Sequence, residues 1–177
     1  MARLLGVGRD EFTALALAAS SGADGLTLLP YFDGERTPNL PGASGWISGL
    51  RSDVSREQMA RAAVEGVCCS LLDALDAIRA VAPVDRVVLI GGGARSAAYR
   101  KVFATLCDLR VGTADADEAV ATGACVQAAA AAFGQSHEEV ARRWALGEVT
   151  PIEPLAGTSS VSVRAKYAAL RGVAGSS

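Results

Sequence analysis

The chain has 177 residues, half of them hydrophobic and a fifth charged, with a net charge of −2; this is the balance of one soluble globular domain, or a large piece of a bigger protein. Near-neutral charge gives no general attraction for nucleic acid or for an anionic membrane surface. No apolar run approaches the ~20 residues that span a bilayer, and Met1–Arg3 leads into the chain without the apolar stretch of a signal peptide, which points to the cytoplasm.

Asp10 reads as the cap of a first helix whose apolar residues Phe12, Leu15, Ala16 and Ala19 share a face. Ser20-Ser21-Gly22 ends it. Leu26–Leu29 reads as a short strand stopped by Pro30, followed by a long irregular segment from Tyr31 to Ser52 that is rich in Pro and Gly. A loop of that length is functional or packed across another surface. Ser55-Arg56-Glu57-Gln58 is a capping box for a helix reaching about Val81. Its predicted buried stripe is Val64, Val67, Cys68, Leu71, Leu75 and Ile78, with Arg61, Glu65, Asp76 and Arg79 facing elsewhere.

Arg86–Ile90 reads as a buried strand running into Gly91, Gly92 and Gly93. A helix follows, with Ser96 as its cap and Tyr99, Val102, Phe103 and Leu106 on its buried face. Leu109–Thr113 is then a second strand, so the unit is βαβ with parallel pairing. Asp115, Asp117 and Glu118 fall at the start of a small-residue helix, Asp117–Phe133, where negative charge is favoured. Gly123 in its middle costs about 1 kcal/mol relative to alanine, which calls for close contact with another backbone or a ligand. Ser136-His137-Glu138-Glu139 is a second capping box, for a helix reaching Leu146. Thr150–Pro154 reads as an extended linker and Val163–Val173 as a final helix. The four cysteines, Cys68, Cys69, Cys107 and Cys125, fall in helical segments without metal-ligand spacing and read as reduced, buried thiols.

The glycine turn is the most informative of these features. Three residues without Cβ let a flat ligand or a phosphate approach the backbone, and the helix behind them aims N–H groups and partial positive charge at the same place. Read locally, the same turn also serves helix–sheet packing alone.

Several segments, in order, resemble the C-terminal region of the FGGY carbohydrate kinases, most closely the xylulokinase subgroup. They are Leu29-Pro30-Tyr31-Phe32-Asp33-Gly34-Glu35-Arg36-Thr37-Pro38, Ala60-Arg61-Ala62-Ala63-Val64-Glu65-Gly66-Val67 and Gly91–Ser96. The pairs Glu118-Ala119 and Gly123-Ala124, and then Tyr167–Arg171, complete the series. The resemblance implies an α/β fold: part of an actin-like ATPase (ribonuclease H-like) domain, helix-rich, with a small sheet containing the parallel βαβ unit. It implies that residues 1–177 are the nucleotide-side domain, without the N-terminal sugar domain and the first strands of their own sheet. It implies transfer of the ATP γ-phosphate to D-xylulose, giving xylulose 5-phosphate.

In this resemblance Gly91, Gly92, Gly93, Ala94 and Ser96 lie against the adenosine part of ATP, and Gly123 forms part of the other side. Mg2+ is carried mainly by the ATP phosphates, with no protein metal ligand assigned. The family's catalytic aspartate follows a glycine-rich motif, but the triple glycine here is followed by Ala94, so no catalytic residue is assigned. The phosphate-binding segment is also absent; Gly157-Thr158-Ser159-Ser160 has similar composition but stands in the tail. The chain alone is therefore expected to be inactive, to meet sugar only through the absent domain, and to associate into homo-oligomers through uncovered apolar surface.

Two other readings stand beside this one. Gly91, Gly93 and an Asp115 about 20 residues on also suit half of an NAD-binding oxidoreductase, although Ser96 stands where a third glycine belongs. A non-catalytic nucleotide-binding or interaction module is the other. Glu35 and Arg36 read as an internal ion pair pinning the long loop. Arg95 and His137 read as surface residues, and Trp46 and Trp144 as core or interface anchors.

Overall fold

The computed structural model describes residues 1–36, 39–114, 118–156 and 160–174. The first helix, α1, is Arg9–Ala18, with Phe12 and Ala16 buried. Asp10 does not cap it: the cap position is Gly8, without a side-chain bond, and Asp10 and Glu11 lie in the first turn, where they still favour the helix dipole. Strand β1, Thr27–Leu29, ends before Pro30 as expected.

The segment 31–52 is not wholly irregular. It contains β2, Trp46–Ser48, antiparallel to β1 with Thr27 opposite Ser48 and Leu29 opposite Trp46. Three exposed residues carry no alternation to read. Glu35 and Leu40 close the intervening loop with a reciprocal pair of backbone bonds, 3.0 and 2.8 Å. Arg36 is exposed, so it is not a buried partner of Glu35; its backbone N–H donates to Glu35 Oε1 at 2.7 Å.

Helix α2, Arg56–Arg79, starts at the expected box: Gln58 N–H donates to Ser55 Oγ at 3.2 Å, and Ser55 N–H donates to Gln58 Oε1 at 2.8 Å. It is the spine of the fold, packed by α1, β1 and two later helices. Beyond Cys68 the predicted stripe holds only at Leu75, which is partly buried against the core. Cys69 and Leu72 turn inward, whereas Leu71 is 52% and Ile78 53% exposed. Ala60 to Gly66 are buried all round, including Arg61 and Glu65 at 1% and 4% exposure. These two were expected to face elsewhere; one i,i+4 ion pair inside the core reconciles them with burial. Gly66 is required where α2 crosses β1, because a Cβ there would run into the Leu28 carbonyl oxygen.

Strand β3, Arg86–Leu89, pairs in parallel with β4, Arg110–Thr113, through α3, Ala97–Leu106. This is the predicted βαβ unit, although β3 is only half-buried. Thr150–Pro151 is not a linker: it forms β5, antiparallel to β4, in the sheet order β3-β4-β5. Proline is tolerated there because β5 is an edge strand. Val102, Phe103 and Leu106 of α3 are buried as read, together with Ala98.

Helix α4, Ala119–Phe133, starts two residues later than expected, and Glu118 at its cap position makes no side-chain cap bond. Asp115 and Asp117 lie outside the described residues. A Cβ on Gly123 would meet nothing within 4 Å, so close contact with a neighbouring backbone does not explain that glycine. Helix α5, His137–Arg143, is shorter than predicted, but its box is present, with bonds of 2.8 and 3.2 Å between Ser136 and Glu139. The two helices pack on each other through Ala129, Ala130 and Val140.

Helix α6, Ser160–Ala174, seals α2 with Val163, Tyr167 and Leu170, and its Arg164 and Arg171 pair with Asp76 and Asp73. All four cysteines are free. Cys68 and Cys69 are buried as expected, but Cys107 is half-exposed and Cys125 exposed. No described helix is long and apolar enough to cross a membrane.

Candidate functional site

The site is built where β3 gives way to α3. Gly91 adopts φ +81°, ψ −172°, a backbone state closed to residues with a Cβ. Gly92–Arg95 then make a tight 3-10 turn rather than running directly into the α-helix. Ala94 N–H donates to Gly91 O and Ser96 N–H to Gly93 O, both at 3.1 Å. A Cβ added at Gly91, Gly92 or Gly93 would meet no atom within 4 Å. Tight helix–sheet packing therefore does not account for Gly92 and Gly93; the space beside them is open.

Two side chains hold this turn. Arg100 Nη1 donates to Ala94 O at 2.6 Å and to Arg95 O at 3.1 Å. Ser96 holds the cap position of α3 but makes no side-chain cap bond; its hydroxyl instead pairs with the Thr13 hydroxyl at 2.9 Å, tying α1 to the turn. The turn separates two clefts. Gly92, Gly93 and Ser96 line one of about 800 Å³, walled also by Thr13, Phe32 and Tyr99. Gly91, Gly92 and Ala94 line another of about 630 Å³, which also holds Arg95, Arg100 and Lys101. Both volumes fall in the ~300–1,000 Å³ range of small-molecule sites. Gly123 lines neither of these clefts.

The predicted residues are thus brought together in part: Gly91 to Ser96 form one turn with faces on two clefts, and Gly123 lies on the exposed side of α4. Thr13, Phe32 and Arg100 were not singled out by the sequence. Thr13 lies 83 residues from Ser96 and left no local signal. Arg100 did leave one: a cation in the first turn of a helix opposes the dipole, so it needs a local partner. Burial pushes the Tyr99 hydroxyl up from its usual range, keeping it neutral as a cleft wall. Among the described residues no group of three or more His, Cys, Asp or Glu side chains is placed to hold a metal ion.

Known proteins place this architecture. Residues 6–132 match the C-terminal domain of the FGGY family of carbohydrate kinases. The chain is 43% identical over 146 residues to a xylulose kinase of Streptomyces coelicolor, covering 81% of this chain and 29% of that one. The crystal structure of xylulose kinase from Bifidobacterium adolescentis shares 42% identity with a TM-score of 0.77, over 97% of this chain and 33% of its own. The ligand-bound xylulose kinase from Lactobacillus acidophilus, 22% identical, has the same fold at a TM-score of 0.84, over 96% of this chain and 35% of that one.

The fold is that of the actin-like ATPases, helix-rich with small sheets. The chain belongs to the FGGY family of carbohydrate kinases. It spans less than a third of the length of the Streptomyces relative. Membership of a kinase family sets aside the dinucleotide oxidoreductase reading of Gly91 and Gly93.

Proposed function

We propose that the chain is the nucleotide-side domain of an ATP-dependent kinase that phosphorylates D-xylulose in the cytoplasm, and that Gly91–Ser96 receives the adenosine end of ATP. The observation that carries this reading is the glycine turn itself. Gly92 and Gly93 have open space where packing would demand contact, in a chain 43% identical to a xylulose kinase.

Phosphoryl transfer depends on positioning and on neutralising charge. Gly92 and Gly93 let the nucleotide approach the backbone, Gly91 supplies the bend, and Ser96 completes the wall on the first cleft, with Ala94 behind it on the second. Gly123, on the open face of α4, is assigned to the far side of the nucleotide. Mg2+ carried by the ATP phosphates would neutralise their charge, with no residue of this chain assigned to hold it. In the complete reaction a xylulose hydroxyl oxygen bonds to the γ-phosphorus as the bond to the β-phosphate oxygen breaks, releasing ADP and xylulose 5-phosphate. The base that takes the hydroxyl proton and the sugar pocket belong to segments outside this sequence. Exposed Leu71 and Ile78 support association with a second copy.

The test is turnover and binding with the chain as it stands. It should release no ADP on addition of D-xylulose, while millimolar ATP raises its melting temperature. Sugar-dependent ADP release would overturn the incomplete-machinery reading, and an unchanged melting temperature would overturn the nucleotide turn.

A further inference from the structure

We propose that Arg100 is a positioning residue for nucleotide binding: it braces the Gly91–Ser96 turn in its receptive shape without touching the nucleotide. The inference rests on the reading that this turn holds ATP. Its guanidinium sits at the start of α3, where the helix dipole disfavours a cation. Instead of pointing to solvent it folds back and gives one nitrogen to two successive carbonyls, Ala94 O and Arg95 O. Bonds from a charged donor are about twice as strong as neutral ones, and the bond to Ala94 is partly shielded from water.

The geometry assigns the two sides of the turn different tasks. Ala94 and Arg100 face the second cleft, whereas Gly93 and Ser96 face the first. Gly92 borders both clefts, so Arg100 grips the turn from the second-cleft side and leaves the Gly93–Ser96 side clear. Thr13 steadies the other end through the Ser96 hydroxyl. Three consecutive glycines lose more conformational freedom on ordering than any other triplet. A turn ordered in advance spares the ligand that loss, so the brace raises affinity through preorganisation.

The experiment uses the whole chain with Arg100→Met, which keeps the apolar stem, and Arg100→Lys, which keeps the charge but has a shorter reach to the two carbonyls. ATP affinity is measured by titration calorimetry, and amide exchange is followed along the chain, with Gly93→Val as the reference for the turn itself. Arg100→Met should weaken ATP about tenfold and speed exchange at residues 91–96 while α2 exchanges as before. Arg100→Lys should fall between, at roughly a threefold loss.

If Arg100→Met binds ATP as tightly as the parent while Gly93→Val does not, the ATP reading stands and the brace is overturned. If Gly93→Val also binds as the parent does, both are overturned. Should Arg100→Met lose protection throughout α2, the lysine variant decides. Weaker ATP with faster exchange confined to 91–96 supports the brace, and parent-like affinity overturns it.

Discussion

Arg61 Nε donates to Glu65 Oε1 at 2.6 Å in the buried middle of α2, and the same carboxylate oxygen accepts the backbone N–H of Gly22 at 2.9 Å. One carboxylate thus ties the spine helix to the turn between α1 and β1. It also makes it tolerable to bury an arginine that is 1% exposed.

Removing one member of this pair should be costly. Arg61→Met leaves a buried carboxylate without its cation and is expected to lose about 3–5 kcal/mol of stability. The double change Arg61→Met with Glu65→Gln should lose less, because the glutamine oxygen still accepts from Gly22 and no charge stays buried. Urea denaturation of the parent, the single and the double variant checks this order. A double variant no more stable than the single would show that the loss comes from packing.

Gly123→Ala is a test of a different kind. The site is in mid-helix with open space around the missing Cβ, so alanine should stabilise the chain by up to about 1 kcal/mol. If ATP lies against α4, the same change should also weaken ATP binding. A more stable variant with unchanged ATP affinity would remove Gly123 from the nucleotide site.

The buried thiols make stability depend on alkaline pH. Burial pushes the Cys69 thiol up from 9.0 to about 12, with the Glu65 charge adding to it; burial pushes Cys68 up as well, helped by Cys69 and Glu65. A raised thiol pKa means that the folded chain holds protons the unfolded chain releases. The contribution is fully present below pH 9 and is lost between about 9 and 12, at up to ~1.4 kcal/mol per pH unit per thiol. Denaturation at pH 8 to 11 should show this fall, and Cys69→Ala should flatten it. At pH 8 the exposed Cys125 should react with a thiol reagent in the native state, and Cys68 and Cys69 only after unfolding.

What the sequence made legible was what local chemistry determines. Both capping boxes, at Ser55 and Ser136, form as read, because a hydroxyl and an amide or carboxylate three residues apart need no tertiary help. The β3–α3–β4 unit followed from a strand, a glycine break and a helical period. What failed depended on distant partners. The stripe of α2 was read by hydrophobicity alone, so Leu71 and Ile78 were placed inside, and Arg61 and Glu65 outside. Charge hid the fact that an i,i+4 pair can neutralise itself in the core. Strands β2 and β5 have three and two residues and exist only through their partners. At the site, the glycines were legible, whereas Thr13 became part of it only when folding brought α1 beside Ser96.

Backbone amide NMR of the chain titrated with ATP tests the central claim most directly. The account predicts that the amides of Gly91, Gly92 and Gly93 shift with ATP, together with Ser96 and neighbours lining its cleft, and that Gly93→Val abolishes the response. Shifts confined to other parts of the chain, or an undiminished response in the valine variant, would contradict it.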